Sequence, residues 1–221
     1  MSCKFGCRGQ ILILFAVLYV ALMYQLVYFT PYYGIGIDVS SNYIQALNLM
    51  FKRSVCDALA FHVNGGEFID RLNLDLHDIM TVYPLIVELS SYNVILKDGY
   101  VGASATLQVY DFKYRCKYTF SYNCCLGFKI VNITVSNSYV PAFNDIKMVV
   151  GVFGDSEVLL KPPAFTISYN YNGSTFTFNP YYESLMDGYY MVHFVIPLNV
   201  HAFTFIVIDW RGVKCIELFK L

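Results

Sequence analysis

The sequence has little charge and lacks the basic patches by which nucleic-acid-binding proteins are identified. Charged residues make up only 14% of its 221 residues, well below the usual quarter. The formal net charge is −1 and the sequence contains no block of basic residues, so the electrostatic surface that nucleic acid requires is missing. We therefore predict a protein with no nucleic-acid partner.

Short catalytic motifs are also missing. No histidine stands in a His-Glu-x-x-His motif, and neither a Gly-x-Ser-x-Gly elbow nor a phosphate-binding Gly-x-x-x-x-Gly-Lys loop occurs. The segment "DLHD" places Asp75 and Asp78 around His77, a pattern more typical of a solvated loop or strand edge than of a metal or acid–base site. His193 and His201 lie in apolar segments, as satisfied core or edge histidines do. The sequence therefore predicts no enzyme, no cofactor and no metal site.

What the sequence does contain is one long uncharged apolar run, "ILILFAVLYVALMYQLVYF", from Ile11 to Phe29. As a helix this run would be about 28 Å long, close to the thickness of the bilayer's hydrocarbon core. Pro31 ends the helix, and the neighbouring tyrosines suit the headgroup layer. A cleaved signal peptide and a buried soluble helix are the alternatives. Because the run exceeds a signal region and no small-residue cleavage pair follows it, we predict an uncleaved signal-anchor.

The flanks of this span set the predicted topology. Lys4 and Arg8 precede it, whereas the next basic residues lie about twenty positions beyond it, so the positive-inside bias places the N-terminus in the cytosol. We predict a single-pass protein in the membrane of the secretory pathway (ER or Golgi) or in the plasma membrane. Its predicted segments are a cytosolic head (1–10), a transmembrane helix (11–30), a membrane-proximal collar with an amphipathic helix (31–65) and a lumenal or extracellular β domain (66–221).

Two acceptor sequons for N-glycosylation follow the span, "NITVS" at Asn132 and "NGSTF" at Asn172. The predicted topology makes both usable. Asn172 and Gly173 form the dipeptide that best tolerates a tight hairpin turn, so the second sequon is expected at an exposed tip. Asn132 lies in an alternating strand where Ile133 points to the opposite face, which favours an outward position for the asparagine.

The seven cysteines lie on both sides of the predicted span. Cys3 and Cys7 precede the span, where a cysteine is either S-acylated or a reduced thiol. The remaining five would enter an oxidising compartment and are disulfide candidates: Cys56, Cys116, Cys124, Cys125 and Cys215. Because five is odd, one is free or pairs with another chain, which makes a homodimer one expected partner state. The spacing of the middle three lacks the short knuckle of zinc sites.

The body of the chain predicts one helix followed by strands. Apolar residues recur at helical spacing at Ile44, Leu47, Phe51, Val55 and Leu59, and Asn64-Gly65-Gly66 ends that pattern. From residue 66 onward, alternating segments separated by turns predict nine or ten short strands. The first segment, "RLNLDLHDI", alternates as a strand does, although Leu72, Leu76 and Ile79 would also fit a helix. We predict a mostly β protein: a transmembrane helix, one short helix and an antiparallel β-sandwich-like ectodomain.

Tyrosine is the most informative residue type in this domain. The chain has 20 tyrosines, and this residue favours interfaces because its ring is apolar and its hydroxyl is polar. The densest stretch is "YNYNGSTFTFNPYYESLMDGYY", and the alternative is that its tyrosines simply cover a sheet. The candidates for partner contact are Tyr169, Tyr171, Tyr181, Tyr182, Tyr189 and Tyr190.

A short basic head, one apolar span and a Tyr/Phe/Ile/Asn-rich β ectodomain with sequons such as "NITVS" are similar in style to the small accessory membrane glycoproteins of coronaviruses. The resemblance implies a protein that binds host proteins in the secretory pathway or at the cell surface. We therefore predict a membrane-bound lumenal or cell-surface binding protein. A self-associating structural protein of a membrane or envelope assembly is the alternative, and a membrane-tethered enzyme without a known motif is a third class.

Overall fold

A computed structural model describes residues 36–140, 142–155, 161–186 and 188–221. The predicted cytosolic head, the transmembrane span and the S-acylation candidates Cys3 and Cys7 lie outside these ranges. Neither helix within them combines the length and the apolarity that crossing a bilayer requires. The chain divides into two units between residues 49 and 50, and the packing described below concerns the residues from Met50 onward.

Two helices precede the strands. Helix α1 spans Gly36–Val63, and Phe51, Val55 and Leu59 on its predicted apolar face are fully buried. It ends at the predicted Asn64-Gly65-Gly66 turn, where Gly65 has a φ of 96° that a side chain would strain.

Helix α2 spans Phe68–Val82, so the prediction of a single short helix is wrong. The assignment of "RLNLDLHDI" to a strand is wrong for the same reason. Phe68, Leu72, Leu76 and Ile79 recur at helical spacing and form the buried face of α2, whereas Leu74 between them is exposed. Leucines at alternate positions fit both the two-residue period of a strand and the 3.6-residue period of a helix. The additional apolar residue Phe68, four positions before Leu72, extends the helical pattern.

The described ranges contain ten strands, in agreement with the mostly β prediction. They are β1 (Leu85–Lys97), β2 (Tyr100–Asp111), β3 (Cys116–Asn137), β4 (Phe143–Gly154), β5 (Ala164–Tyr171), β6 (Ser174–Phe178), β7 (Tyr181–Met186), β8 (Tyr189–Pro197), β9 (Ala202–Ile208) and β10 (Lys214–Lys220). They form a larger sheet in the order β1-β2-β3-β4-β8-β7 and a smaller sheet in the order β10-β9-β5-β6. Every pairing between neighbouring strands is antiparallel.

The two sheets pack face to face through aromatic rings. Phe205 of β9 lies 5.2 Å from Phe128 of β3, measured between ring centroids, and Phe203 lies 5.2 Å from Phe194 of β8. Both contacts are edge-to-face, the geometry that the ring quadrupole favours. Helix α1 covers another part of the larger sheet, where Phe51 contacts Phe120 of β3 at 5.7 Å. Phenylalanine rings from both sheets and from α1 thus meet in the core.

The β5–β6 hairpin has the predicted two-residue turn. Tyr171 pairs with Ser174, and the intervening Asn172 and Gly173 have φ values of 49° and 78°. Both residues therefore occupy the left-handed region that a type I′ turn needs, which Asn-Gly adopts at low cost. The prediction of a tight hairpin at this dipeptide is confirmed.

Candidate functional site

Within the described ranges, four strands lie at the edges of the two sheets: β1 and β7 in the larger sheet, β10 and β6 in the smaller one. An edge strand presents unpaired backbone N–H and C=O groups to which another extended chain can add. Strands β6 and β7 are separated by only two residues of sequence, and Phe178 of β6 contacts Phe194 of β8, the neighbour of β7. These two edges therefore lie on one side of the sandwich. We refer to residues 174–178 and 181–186 together as the β6–β7 edge.

The other two edges are protected against strand addition. Strand β1 has a register shift at its middle, and its Tyr92 stacks on Phe68 of α2 with ring centroids 5.9 Å apart. Strand β10 carries three charged residues in seven, and its Ile216 carbonyl accepts a hydrogen bond of 3.3 Å from the Gly99 N–H. Bulges, covering elements and charges are the devices by which proteins block edge pairing. The β6–β7 edge also has a register shift, between Ser184 and Met186 of β7, but its eleven residues include only one charge, Glu183.

Strand β7 is the most accessible part of this edge, since all six of its side chains are exposed. The Tyr181 hydroxyl donates a hydrogen bond of 2.6 Å to Glu183. This hydrogen bond stabilises the protonated phenol and raises the pKa of Tyr181. Leu185 and Met186 expose large apolar side chains beside this polar pair. The strand thus combines an aromatic, an aliphatic and a carboxylate group in one row.

A polar row continues from β7 across the outer face of the larger sheet. His193 of β8 is the cross-strand partner of Tyr181, and its Nε2 hydrogen-bonds to the Asp145 carboxylate on β4. His193 is therefore a satisfied histidine, as expected of it, and its partner lies 48 positions away in the sequence. Because no local pattern connects such residues, Asp145 could not be recognised as the partner of His193 from the sequence.

The structure divides the six candidate tyrosines among three surfaces. Tyr169 and Tyr171 lie on β5, next to the edge strand β6 of the smaller sheet, where both contact Phe176. Tyr182 and Tyr190 lie on the inner face of the larger sheet, and Tyr190 is buried against Phe165 at 5.3 Å. Tyr181 and Tyr189 lie on the outer face, Tyr189 over Gly151. Proximity in sequence therefore did not produce one tyrosine surface, because alternate residues of a strand face opposite sides.

Both sequon asparagines have exposed side chains. Asn132 of β3 pairs with Val149, and the next residue, Ile133, pairs with the buried Met148. Asn132 therefore lies on the outer face of the larger sheet. Asn172 lies at the tip of the β5–β6 hairpin. The acceptor nitrogen at each site is within reach of solvent.

A buried arginine cluster is the feature that sequence reasoning missed. The side chain of Arg211, in the β9–β10 turn, is only 4% exposed. Its Nη1 lies 2.7 and 2.9 Å from the two carboxylate oxygens of Asp155, and its Nε and Nη2 each lie 2.7 Å from Asp209. Nη2 also donates to the Cys125 carbonyl at 3.3 Å. These contacts satisfy the guanidinium and hold together the β9–β10 turn, β3 and the end of β4.

The charge balance of this cluster follows from burial and from its neighbours. Burial by itself would lower the pKa of Arg211. The adjacent Cys124 sulfur and the carboxylates of Asp155 and Asp209 raise this pKa by more than burial lowers it, so the guanidinium stays charged. Asp209 also accepts hydrogen bonds from the backbone N–H groups of Arg211 and Val213. A buried, fully paired cluster of this kind is a structural device and offers no free group for catalysis.

The five described cysteines all carry free thiols, and the structure brings two of them into contact. Cys56 of α1 and Cys124 of β3 are buried, and their side chains are in contact. Cys125 contacts Tyr100 on the other face of β3, the exposed Cys116 contacts the Tyr114 carbonyl, and Cys215 is buried on β10. Within the described ranges, no three His, Cys, Asp or Glu side chains are grouped closely enough to hold a metal ion.

Comparison with protein-family models, with curated proteins and with solved structures finds no match to this chain. Its function must therefore be inferred from the residues and the geometry given above.

Proposed function

We propose that this protein is a type II single-pass membrane glycoprotein whose β domain binds an extended segment of a lumenal or cell-surface protein. The observation that carries the proposal is the β6–β7 edge, where, among the described residues, all six side chains of β7 are exposed and a single charge, Glu183, opposes strand addition. The membrane topology rests on the apolar run and its basic flank. The proposal includes a role as a viral accessory protein that binds host proteins, and this part rests on the resemblance to accessory membrane glycoproteins of coronaviruses.

Strand addition at β7 is the binding mode that this edge supports. Backbone hydrogen bonds from the open side of β7 provide affinity, and the exposed side chains select the partner. Tyr181, Leu185 and Met186 offer aromatic and aliphatic contacts of the kind enriched at interface cores. His193 and Asp145 on the neighbouring strands add a polar rim.

Site-specific photo-crosslinking tests this proposal directly. A photoreactive amino acid replaces Tyr181 in the full-length chain, which is expressed in mammalian cells and irradiated. The matched control carries the same group at Leu96 on β1, the opposite edge of the same sheet. We expect a discrete adduct from position 181 and none from position 96.

A charge on the edge provides the second arm of the experiment. Leu185→Lys introduces the residue that natural edge strands use to prevent pairing, and it should abolish the adduct from position 181. Leu96→Lys is the control, since Leu96 and Leu185 are 50% and 45% exposed. An adduct that survives Leu185→Lys, or equal adducts from both edges, would contradict the proposal. An adduct whose mass is twice that of the chain would instead assign the edge to self-association, the structural alternative.

A further inference from the structure

A pair of buried cysteines joins helix α1 to the larger sheet. Cys56 lies on α1 and Cys124 lies at the middle of β3, 68 positions later in the sequence. Both side chains are almost completely buried and lie against each other, and the guanidinium of Arg211 contacts both the Cys56 sulfur and the carbonyl of Cys125, the residue after Cys124. The Nη1 atom of Arg211 lies 3.7 Å from the Cys56 sulfur, so the pair borders the arginine cluster.

The strand geometry selects Cys124 over its neighbour as the partner of Cys56. Side chains alternate along a strand, and Cys124 shares the inner face of β3 with the buried Tyr122 and Leu126. Cys125 points to the other face, where it contacts Tyr100. Only one of the two adjacent cysteines therefore faces α1, a distinction that the sequence could not make.

We propose that Cys56 and Cys124 form an intrachain disulfide when the chain folds in an oxidising compartment. The inference uses the proposed function for one point only, the lumenal placement of this domain. The proposal assigns one disulfide bond to two of the five cysteines that are disulfide candidates. Three cysteines then remain, of which Cys116 is exposed and available to a second chain, whereas Cys215 is buried.

The reaction is a two-step thiol–disulfide exchange with a disulfide oxidant, either glutathione disulfide or the disulfide of an oxidoreductase. One cysteine thiolate attacks the oxidant, forming a mixed disulfide and releasing one thiolate. The second cysteine thiolate then attacks the mixed disulfide at the protein sulfur and releases the other. The cysteine pair loses two electrons and two protons, and the oxidant takes up both as it becomes two thiols.

Burial determines when this bond forms. The hydrogen bond to Cys56 and desolvation together raise the pKa of Cys124, so the reactive thiolate is scarce once the domain has folded. Exchange is therefore expected while α1 docks on the inner face of β3, when Cys124 already faces Cys56 but water and the oxidant still reach the pair. After packing, the same burial excludes external thiols, and the bond resists reduction until the domain unfolds.

Peptide mapping of the full-length chain from mammalian cells tests the assignment. Free thiols are blocked with N-ethylmaleimide, and the protein is digested with trypsin without reduction. We expect peptide 54–71, which contains Cys56, to be linked to peptide 118–129. Peptide 118–129 contains both Cys124 and Cys125, so the experiment is repeated in a Cys125→Ser background, where the linked peptide should persist.

Refolding in detergent separates this inference from the proposed topology. The full-length chain is refolded in a mixture of reduced and oxidised glutathione and mapped in the same way. A link between peptides 54–71 and 118–129 in both the cellular and the refolded protein supports the assignment. The same link in the refolded protein alone supports the cysteine pairing and contradicts the lumenal placement. Its absence from both preparations, or a link from Cys56 to another cysteine, overturns the proposal.

Thermal unfolding provides a readout that does not depend on mapping. Reduction of the refolded chain should lower its Tm by roughly 10 °C, because the bond closes a long loop of the unfolded chain. The Cys124→Ser variant should lose this sensitivity to reductant, and the Cys116→Ser variant should retain it. A parent chain whose Tm does not respond to reductant would count against the bond.

Discussion

Replacement of Arg211 by methionine is the most informative single perturbation of this fold. Methionine keeps much of the length and apolar character of the arginine stem, so the change removes the guanidinium with little loss of packing. It leaves the carboxylates of Asp155 and Asp209 without their cation, and the Asp209 side chain is fully buried. The buried charges, rather than the missing hydrogen bonds alone, are expected to dominate the effect.

The magnitude follows from the burial of the pair. Removing one partner of a buried ion pair costs about 3–5 kcal/mol, because the remaining charge is left desolvated. In a domain of this size that corresponds to a fall in Tm of about 6–20 °C. Arg53→Met is the matched control, since Arg53 is 84% exposed and lies 3.6 Å from Asp57 in an i, i+4 pair. Such a surface pair contributes only about 0.3–0.5 kcal/mol.

The assay uses urea unfolding of the full-length chain in detergent. Trp210, the single tryptophan, adjoins Arg211 in the sequence, so its fluorescence reports on the β9–β10 turn directly. Circular dichroism reports on the sheets, and coincident transitions would show that the cluster and the sandwich unfold together. A loss of less than about 1 kcal/mol in the Arg211→Met variant, or a loss equal to that of Arg53→Met, would refute the reasoning from burial.

Two further predictions concern glycosylation and pH. Ser174→Ala destroys the second sequon without disturbing Asn172, whose φ of 49° would strain most substitutes, and it should remove one glycosidase-sensitive step on a gel. Burial, together with the negative charge of Asp98, raises the pKa of Glu217 above its ordinary value of 4.5. The stability that protonated Glu217 contributes is therefore complete below that value and is lost as the pH rises through the folded-state pKa. Glu217→Gln should make the protein more stable than the parent near neutral pH, with no advantage below pH 4.5, as measured by urea unfolding at several pH values.

Each of these predictions has a control on the same chain. Thr134→Ala destroys the first sequon, at Asn132, and should remove a separate glycosidase-sensitive step. A parent chain with no glycosidase-sensitive step at all would contradict the proposed topology. Glu88→Gln changes an exposed carboxylate on β1 and should leave the pH profile unaltered. Equal effects of the two glutamine substitutions would show that burial of Glu217 is not the cause.

The parts of the fold that sequence reasoning obtained are those fixed by local patterns. The apolar face of α1 from Phe51 to Leu59, the Asn172-Gly173 turn and the alternation of most strands follow from periodicity and turn chemistry within a few residues. The same reasoning failed at α2, where leucines at alternate positions satisfied two periods at once. At such a segment the choice is made by the surface against which it packs.

The sequence by itself determined that this is a mostly β protein with a tight hairpin at Asn172, because backbone preference and side-chain period act between near neighbours. Only the tertiary structure decided which side chains meet. It placed Arg211 between Asp155 and Asp209, directed Cys124 rather than Cys125 towards Cys56, and left all six side chains of β7 exposed. The physical reason is that strand order and sheet stacking join residues far apart in the chain, and no local pattern records those contacts.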